Sequence, residues 1–324
     1  MPLELTENNI VPSAMIWGLV GEGAEGCLLT QQRTFKVFRV RDGQKSVIIK
    51  QALTKSRDAS LLRMDQKSFN KMVSAQRFFG QVLGTDCVPE VLFEDAESLT
   101  VAMASAPEKA VPWRDLLLQG MVDPRLGSRA AECLKWMQDV SPNDPSIPAE
   151  FWESQKFEEE WLHINILLVR KQNPSLAGPL EELYQDLSVL REGVVHGSFT
   201  PDNILVADGK LTIIDFELAH IGSLSFDIAS LLSRLVLAII HRPTLSGPIR
   251  DTVQAFVDFY GELPVGSMAY LGGLILVSVD GLEPEPFLNP SQQEWARKMG
   301  TWILKKEIKS LVHLFDNLDA LLPK

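Results

Sequence analysis

Cysteine is scarce in this 324-residue chain, and the three that occur, Cys27, Cys87 and Cys133, stand far apart with no CxxC spacing. Neither a disulfide framework nor a cysteine zinc site is indicated, and a reducing compartment is expected. Positive charge is also in deficit: 31 Lys and Arg face 42 Asp and Glu, leaving a net charge of −11. So acidic a chain lacks a broad phosphate-backbone footprint, which argues against nucleic acid as a partner. A cationic small substrate would be electrostatically welcome, although an acidic surface is also the ordinary means to solubility. The N-terminal MPLELTENNI has neither the basic nor the apolar region of a secretory signal. The longest apolar stretches, 228–240 and 268–279, fall short of the roughly 20 residues that span a bilayer, and Arg234 interrupts the first. No fixed repeat and no low-complexity tract is present. These absences predict a soluble cytoplasmic protein without a membrane partner.

What is there is a core. With 45% apolar and 23% charged residues, the chain can bury the interior of two domains of about 100 to 200 residues each. The first hundred residues favour strands. Thr34 to Val40 alternates at period two, Arg41-Asp42-Gly43-Gln44 reads as a turn, and Lys45 to Gln51 as the returning strand. Phe69, Met72, Val73, Phe79 and Val82 then form an apolar stripe on a helix over 65–83. Two more strands are expected at 88–93 and 99–103. Beyond Trp113 the spacing turns helical, with helices expected over 125–138, 155–171, 176–190, 226–241, 248–260, 268–280 and 292–322. Among them the Asp208-Gly209 pair, between apolar runs 203–207 and 210–215, signals a tight hairpin. The expected class is α+β: a β-rich N-terminal domain over 1–103 and a larger helical domain over 104–324.

The most informative segment runs from Val194 to Asp227, VVHGSFTPDNILVADGKLTIIDFELAHIGSLSFD. Its order, HGxxxxxN, a hairpin, IDFE and a closing FD, resembles the catalytic core of aminoglycoside phosphotransferases, choline kinases and methylthioribose kinase. VIIKQALTKSR, VPEVLFEDAESLTVAMASAP, WRDLLLQG and LVSVDGLEPEPFL extend the resemblance over roughly 5–304. It implies a two-lobed kinase-like fold that uses ATP and Mg²⁺ to phosphorylate a hydroxyl of a small molecule. By the same resemblance Lys50 contacts the nucleotide phosphates, and Asn203 and Asp215 bind the metal, as hard oxygen donors suit Mg²⁺. Gly21 and Gly23 fall where a nucleotide-covering loop is expected, and Met103, also expected to bind the nucleotide, where the two lobes join. His196 is expected to support the catalytic loop, and Asp227 to tie it by accepting from its backbone.

Two positions depart from the family pattern. Its catalytic Asp falls on Ser198, whose hydroxyl cannot accept a proton near neutral pH. The helix over 65–83, which should supply a glutamate to hold Lys50, has Asn70 or Lys71 at that place. Asp202 and Glu217 are the carboxylates that could stand in for the missing base. A general base is worth about 10²- to 10⁴-fold, and phosphoryl transfer relies more on positioning and metal charge, so weak turnover is compatible with its loss. The alternative is a catalytically inactive pseudokinase that acts as a nucleotide-binding regulator or scaffold. The last helix carries an apolar stripe suited to packing, and its final turns would permit a homodimer or a protein partner.

Overall fold

The computed structural model describes residues 3–31, 34–43, 45–53, 64–155 and 157–322. The chain divides into two compact units. One comprises Met1–Ala110 with Thr212–Glu217; the other comprises Val111–Leu211 with Leu218–Lys324.

In the first unit a helix α1 (Ile10–Ile16) precedes strands β1 (Glu25–Gln31), β2 (Phe35–Asp42) and β3 (Lys45–Ala52). Helix α2 (Gln66–Leu83) and strands β4 (Val91–Asp95) and β5 (Thr100–Ala104) follow. The sheet order is β1-β2-β3-β5-β4, with every neighbouring pair antiparallel. Gln44, part of the expected turn between β2 and β3, lies outside the described residues. Strand alternation explains the two faces of this sheet. Phe38, Val40, Val47, Ile49 and Ala102 pack with Leu5, Ile10 and Ala14, so α1 and the segment before it seal one side. Phe35, Val37, Ala52, Val101 and Met103 pack with Phe69, Met72 and Val73, so α2 seals the other. Helix α2 starts where Asp65 accepts the Ser68 N–H at 2.7 Å, a side-chain cap on an otherwise orphaned donor.

The second unit opens with β6 (Val111–Pro112), α3 (Trp113–Gln119) and α4 (Arg125–Gln138). The helix expected over 155–171 starts instead as a π-helical turn, Phe157–Leu162, and becomes α5 (His163–Gln172), followed by α6 (Ala177–Val189). Short strands β7 (Gly193–Val195), β8 (Ile204–Ala207), β9 (Lys210–Ile213), whose last two residues belong to the first unit, and β10 (His220–Gly222) carry the loops of interest. Between β8 and β9, Asp208 and Gly209 have φ of +49° and +72°, the two left-handed residues of a type I′ turn. Helices α7 (Leu224–His241), α8 (Ser246–Tyr260) and α9 (Ser267–Asp280) build the core. Helix α7 is long and apolar enough to cross a membrane, but 83% of it is buried inside the protein.

The single C-terminal helix expected over 292–322 is two: α10 (Pro290–Leu304) and α11 (Leu311–Leu321). Lys306 sits at φ +60°, and the Glu307 N–H reaches back to the Trp302 carbonyl at 2.8 Å. That is a left-handed helix stop of the kind glycine usually provides. Ile308, 2% exposed, seals the stop, and Ser310 caps α11 by accepting from the His313 N–H.

Candidate functional site

Strand β3 carries a buried cation near its end. Lys50 is 8% exposed, its Nζ lies 2.8 Å from Asp215 Oδ1, and the Phe35 ring lies 5.5 Å beneath it. Burial pushes the ammonium's pKa down, but the carboxylates of Asp215 and Glu217 push it up, and the net shift is upward. Lys50 is therefore a fixed positive charge. Asp215 reaches it from a backbone at φ +73°, a conformation a non-glycine residue holds only when its surroundings impose it. They do so on both sides: the Ile213 N–H donates to the Cys87 carbonyl at 2.7 Å, and Phe216 stacks on Phe79 of α2 with centroids 4.8 Å apart. The carboxylate absent from α2, where Asn70 is exposed and Lys71 buried, is thus replaced as the partner of Lys50 by Asp215.

Gly21 and Gly23 precede β1, at the far end of β2 from Phe35. The Gly21 N–H donates to Asp42 at the end of β2, whereas Lys50 faces Val37. Five strand residues separate those levels, about 17 Å. Phe35, the first residue of β2, carries the ring beneath the lysine. Met103, 7% exposed, lies opposite Ile48 near the end of β5 and is packed into the α2 side of the sheet.

In the second unit the loop from His196 to Asn203 is held by its own polar atoms. Asp227, on α7, accepts the N–H groups of His196 at 2.6 Å and Gly197 at 3.0 Å. Burial raises this carboxyl to about 7, against the lowering pull of those backbone bonds. Gly197 is obligatory: φ is +79°, and a Cβ there would stand 2.3 Å from the Leu218 carbonyl oxygen. The Ser198 N–H donates to His196 Nδ1 at 3.2 Å. Asn203 Nδ2 donates to both the Ser198 carbonyl and its hydroxyl at 3.0 Å. A carbonyl can only accept, so the Asn203 nitrogen is fixed toward Ser198, and Oδ1 is the atom left for a cation. Asp202 turns to the guanidinium of Arg114, whose backbone N–H also donates to the Pro201 carbonyl at 3.1 Å. Arg114 lies in the WRDLLLQG stretch, but nothing in the sequence assigned it a role.

The buried ammonium of Lys50 with the carboxylates of Asp215 and Glu217 fits the phosphate end of a nucleotide and its divalent cation. Asn203 Oδ1 is a hard donor of the same kind. Among the described residues no three His, Cys, Asp or Glu side chains gather as a metal cage. Magnesium ordinarily uses one or two protein ligands together with substrate phosphates.

Comparison with known proteins points the same way. Residues 27–259 match the model of the phosphotransferase enzyme family. Methylthioribose kinase of Yersinia pestis (strain Pestoides F) is 26% identical over 245 residues, 65% of this chain and 58% of that protein. The chain therefore spans less than two thirds of the length of such curated relatives. Among solved structures, a choline/ethanolamine kinase family protein from Mesorhizobium loti has a TM-score of 0.57 at 13% identity, covering 97% of this chain and all of that one. An aminoglycoside phosphotransferase in complex with ADP and hygromycin B has a TM-score of 0.55 at 17% identity, covering 93% of this chain and all of that one. The fold is that of these kinase-like proteins.

Proposed function

The chain belongs to the phosphotransferase enzyme family, and from that premise we propose that it transfers the terminal phosphoryl of a magnesium nucleoside triphosphate, ATP in the first instance, to a hydroxyl of a small molecule. The observation that carries this reading is the Lys50–Asp215 pair, a buried cation held 2.8 Å from a carboxylate on a strained backbone. Lys50 holds the nucleotide phosphates, and Asp215 and Asn203 each provide an oxygen to magnesium. The ion supplies charge neutralisation for the phosphates. The charge of Glu217 acts on Lys50, and it is the carboxylate nearest in sequence to Asp215.

Ser198 stands where a base is expected, with its hydroxyl accepting from Asn203. It can orient an acceptor hydroxyl but cannot take its proton at neutral pH. Catalysis then rests on positioning and charge, and runs about 10²- to 10⁴-fold below a site with a carboxylate base. Asp202 is engaged by Arg114, which supports a role in tethering the loop over a role as substitute base. Methylthioribose, from the name of the curated relatives, is the first acceptor to try. Ser198 together with the carboxylate-free α2 favours a second reading, a pseudokinase that binds nucleotide and regulates a partner.

Calorimetric titration with Mg-ATP tests the proposal, with Asp215→Ala alongside and Ser198→Asp assayed for ATP hydrolysis. Binding by the wild type, its loss in Asp215→Ala and faster hydrolysis in Ser198→Asp are expected. No binding of any nucleotide sinks the phosphotransferase reading. Binding without turnover on any acceptor, even in Ser198→Asp, leaves the pseudokinase.

A further inference from the structure

Antiparallel pairing sets Lys36, Gln51 and Thr100 side by side across β2, β3 and β5. Alternate residues share a face, so this row continues the face that Phe38, Ile49 and Ala102 seal beneath α1. That face is otherwise largely apolar, yet Gln51 is only 5% exposed. A buried amide is costly unless its hydrogen bonds are made, and here two of them reach the segment before α1. Gln51 Oε1 accepts the Leu5 N–H and Nε2 donates to the Leu3 carbonyl, both at 2.7 Å. Nε2 also donates to the Thr100 hydroxyl at 3.1 Å.

Lys36 completes the grip: its Nζ donates to the Leu5 carbonyl at 3.2 Å and pairs with Glu4 at 2.6 Å. Leu5, fully buried, packs with Ile10 and Ala14 of α1. Asn9, just before α1, closes the segment from behind, accepting from the Thr6 N–H and donating to the Glu4 carbonyl. Residues 3–5 thus lie as a strap across β2 and β3. Lys50 is the neighbour of Gln51 on β3 and looks to the opposite face. Its side chain is held there by Asp215 at 2.8 Å, while α2, which has no acidic residue, offers no carboxylate. Lys50 is third from the end of β3, so the ladder on either side and the strap together fix the backbone beneath it.

We propose, resting on the phosphotransferase reading, that residues 3–5 position Lys50 through Gln51, so that the grip on nucleotide phosphates requires the strap to be seated. Gln51 is a positioning residue: it faces away from the phosphates and acts through its neighbour. Withdrawal of the strap lowers phosphate affinity without touching the site itself.

The test is calorimetric titration of the full chain with Mg-ATP and with adenosine, which has no phosphate for Lys50 to hold. Gln51→Leu keeps the bulk and removes every amide bond. It should weaken Mg-ATP binding about 10- to 100-fold, the scale on which a 1 Å misplacement acts. Leu5→Ala loosens the strap from its own side and should act in the same direction. Val40→Ala is the control, removing buried volume from the same face at the level of Val47, about 10 Å along β3 from Lys50. It should leave Mg-ATP affinity within about twofold, as should every variant for adenosine. Undiminished Mg-ATP binding in both strap variants overturns the strap and leaves the phosphotransferase reading standing. An equal loss in Val40→Ala, or for adenosine, also overturns it, because general loosening is then the cause. Failure of the wild type to bind Mg-ATP overturns both. If Gln51→Leu does not fold, Leu5→Ala decides alone.

Discussion

Removing the two members of the Lys50–Asp215 pair should have unequal consequences. The lysine side chain is 11% exposed and the aspartate 26%. Asp215→Asn keeps the shape but leaves an ammonium, where water hardly reaches, with the more distant charge of Glu217 in place of its hydrogen-bonded partner, and breaking a buried pair in this way costs about 3 kcal/mol. Lys50→Met strands a carboxylate that water can partly solvate, so the cost falls to about 1.5 kcal/mol. With both changes no charge is stranded, and the double variant should lie within about 1 kcal/mol of wild type, a coupling of several kcal/mol between neighbours. Urea unfolding at pH 7 followed by tryptophan fluorescence and far-ultraviolet circular dichroism measures all four proteins. A double variant that costs the sum of the singles would refute the reasoning, because it would mean that each side chain acts by packing alone. So would a greater loss from Lys50→Met than from Asp215→Asn.

Three further outcomes follow from the second unit. Because burial holds the Asp227 carboxyl at about 7 in the folded chain, folding retains a proton that the unfolded chain releases near pH 4. That stability is complete below about pH 4 and is lost by about 4 kcal/mol as pH rises to 7. Asp227→Asn should flatten the profile over this window, and an unchanged slope would contradict it. Gly197→Ala must place a Cβ 2.3 Å from the Leu218 carbonyl at φ +79°. The backbone conformation alone costs about 1 to 2 kcal/mol, so a loss below that in urea unfolding would show that the loop simply moves aside. Arg114→Ala should cost less than about 1 kcal/mol, since the Arg114 side chain is 42% exposed. Its effect should appear in faster amide exchange over 198–203, and unchanged exchange there would rule out the tether.

Much of this was legible before any coordinate. The alternation of TFKVFRV and KSVIIKQ gave β2 and β3 to within two residues, because a strand with both faces sealed tolerates no slip. The stripe Phe69, Met72, Val73 and Phe79 gave α2 for the same reason. The Asp208-Gly209 turn was readable because its chemistry is local. Long-range geometry was not. Nothing near Lys50 in sequence names Asp215 as its partner. The break at Lys306 was hidden because a lysine took the left-handed position, and the apolar stripe resumed beyond it in nearly the same phase.

The apolar helix α7 also bears on how the chain is made. It contacts α9, which leaves the ribosome roughly 40 residues later, about 2 to 8 s at ordinary synthesis rates. During that interval an 18-residue apolar segment lacks the cover that α9 gives it, although α4 and β7, made earlier, already offer part of theirs. Arg234, paired in the folded protein with Glu285, then stands as a bare charge in the middle of the segment, where it opposes insertion into a bilayer and stacking with other nascent chains. Its partner arrives with the residues that complete the core, so the same side chain guards the helix during synthesis and locks it afterwards.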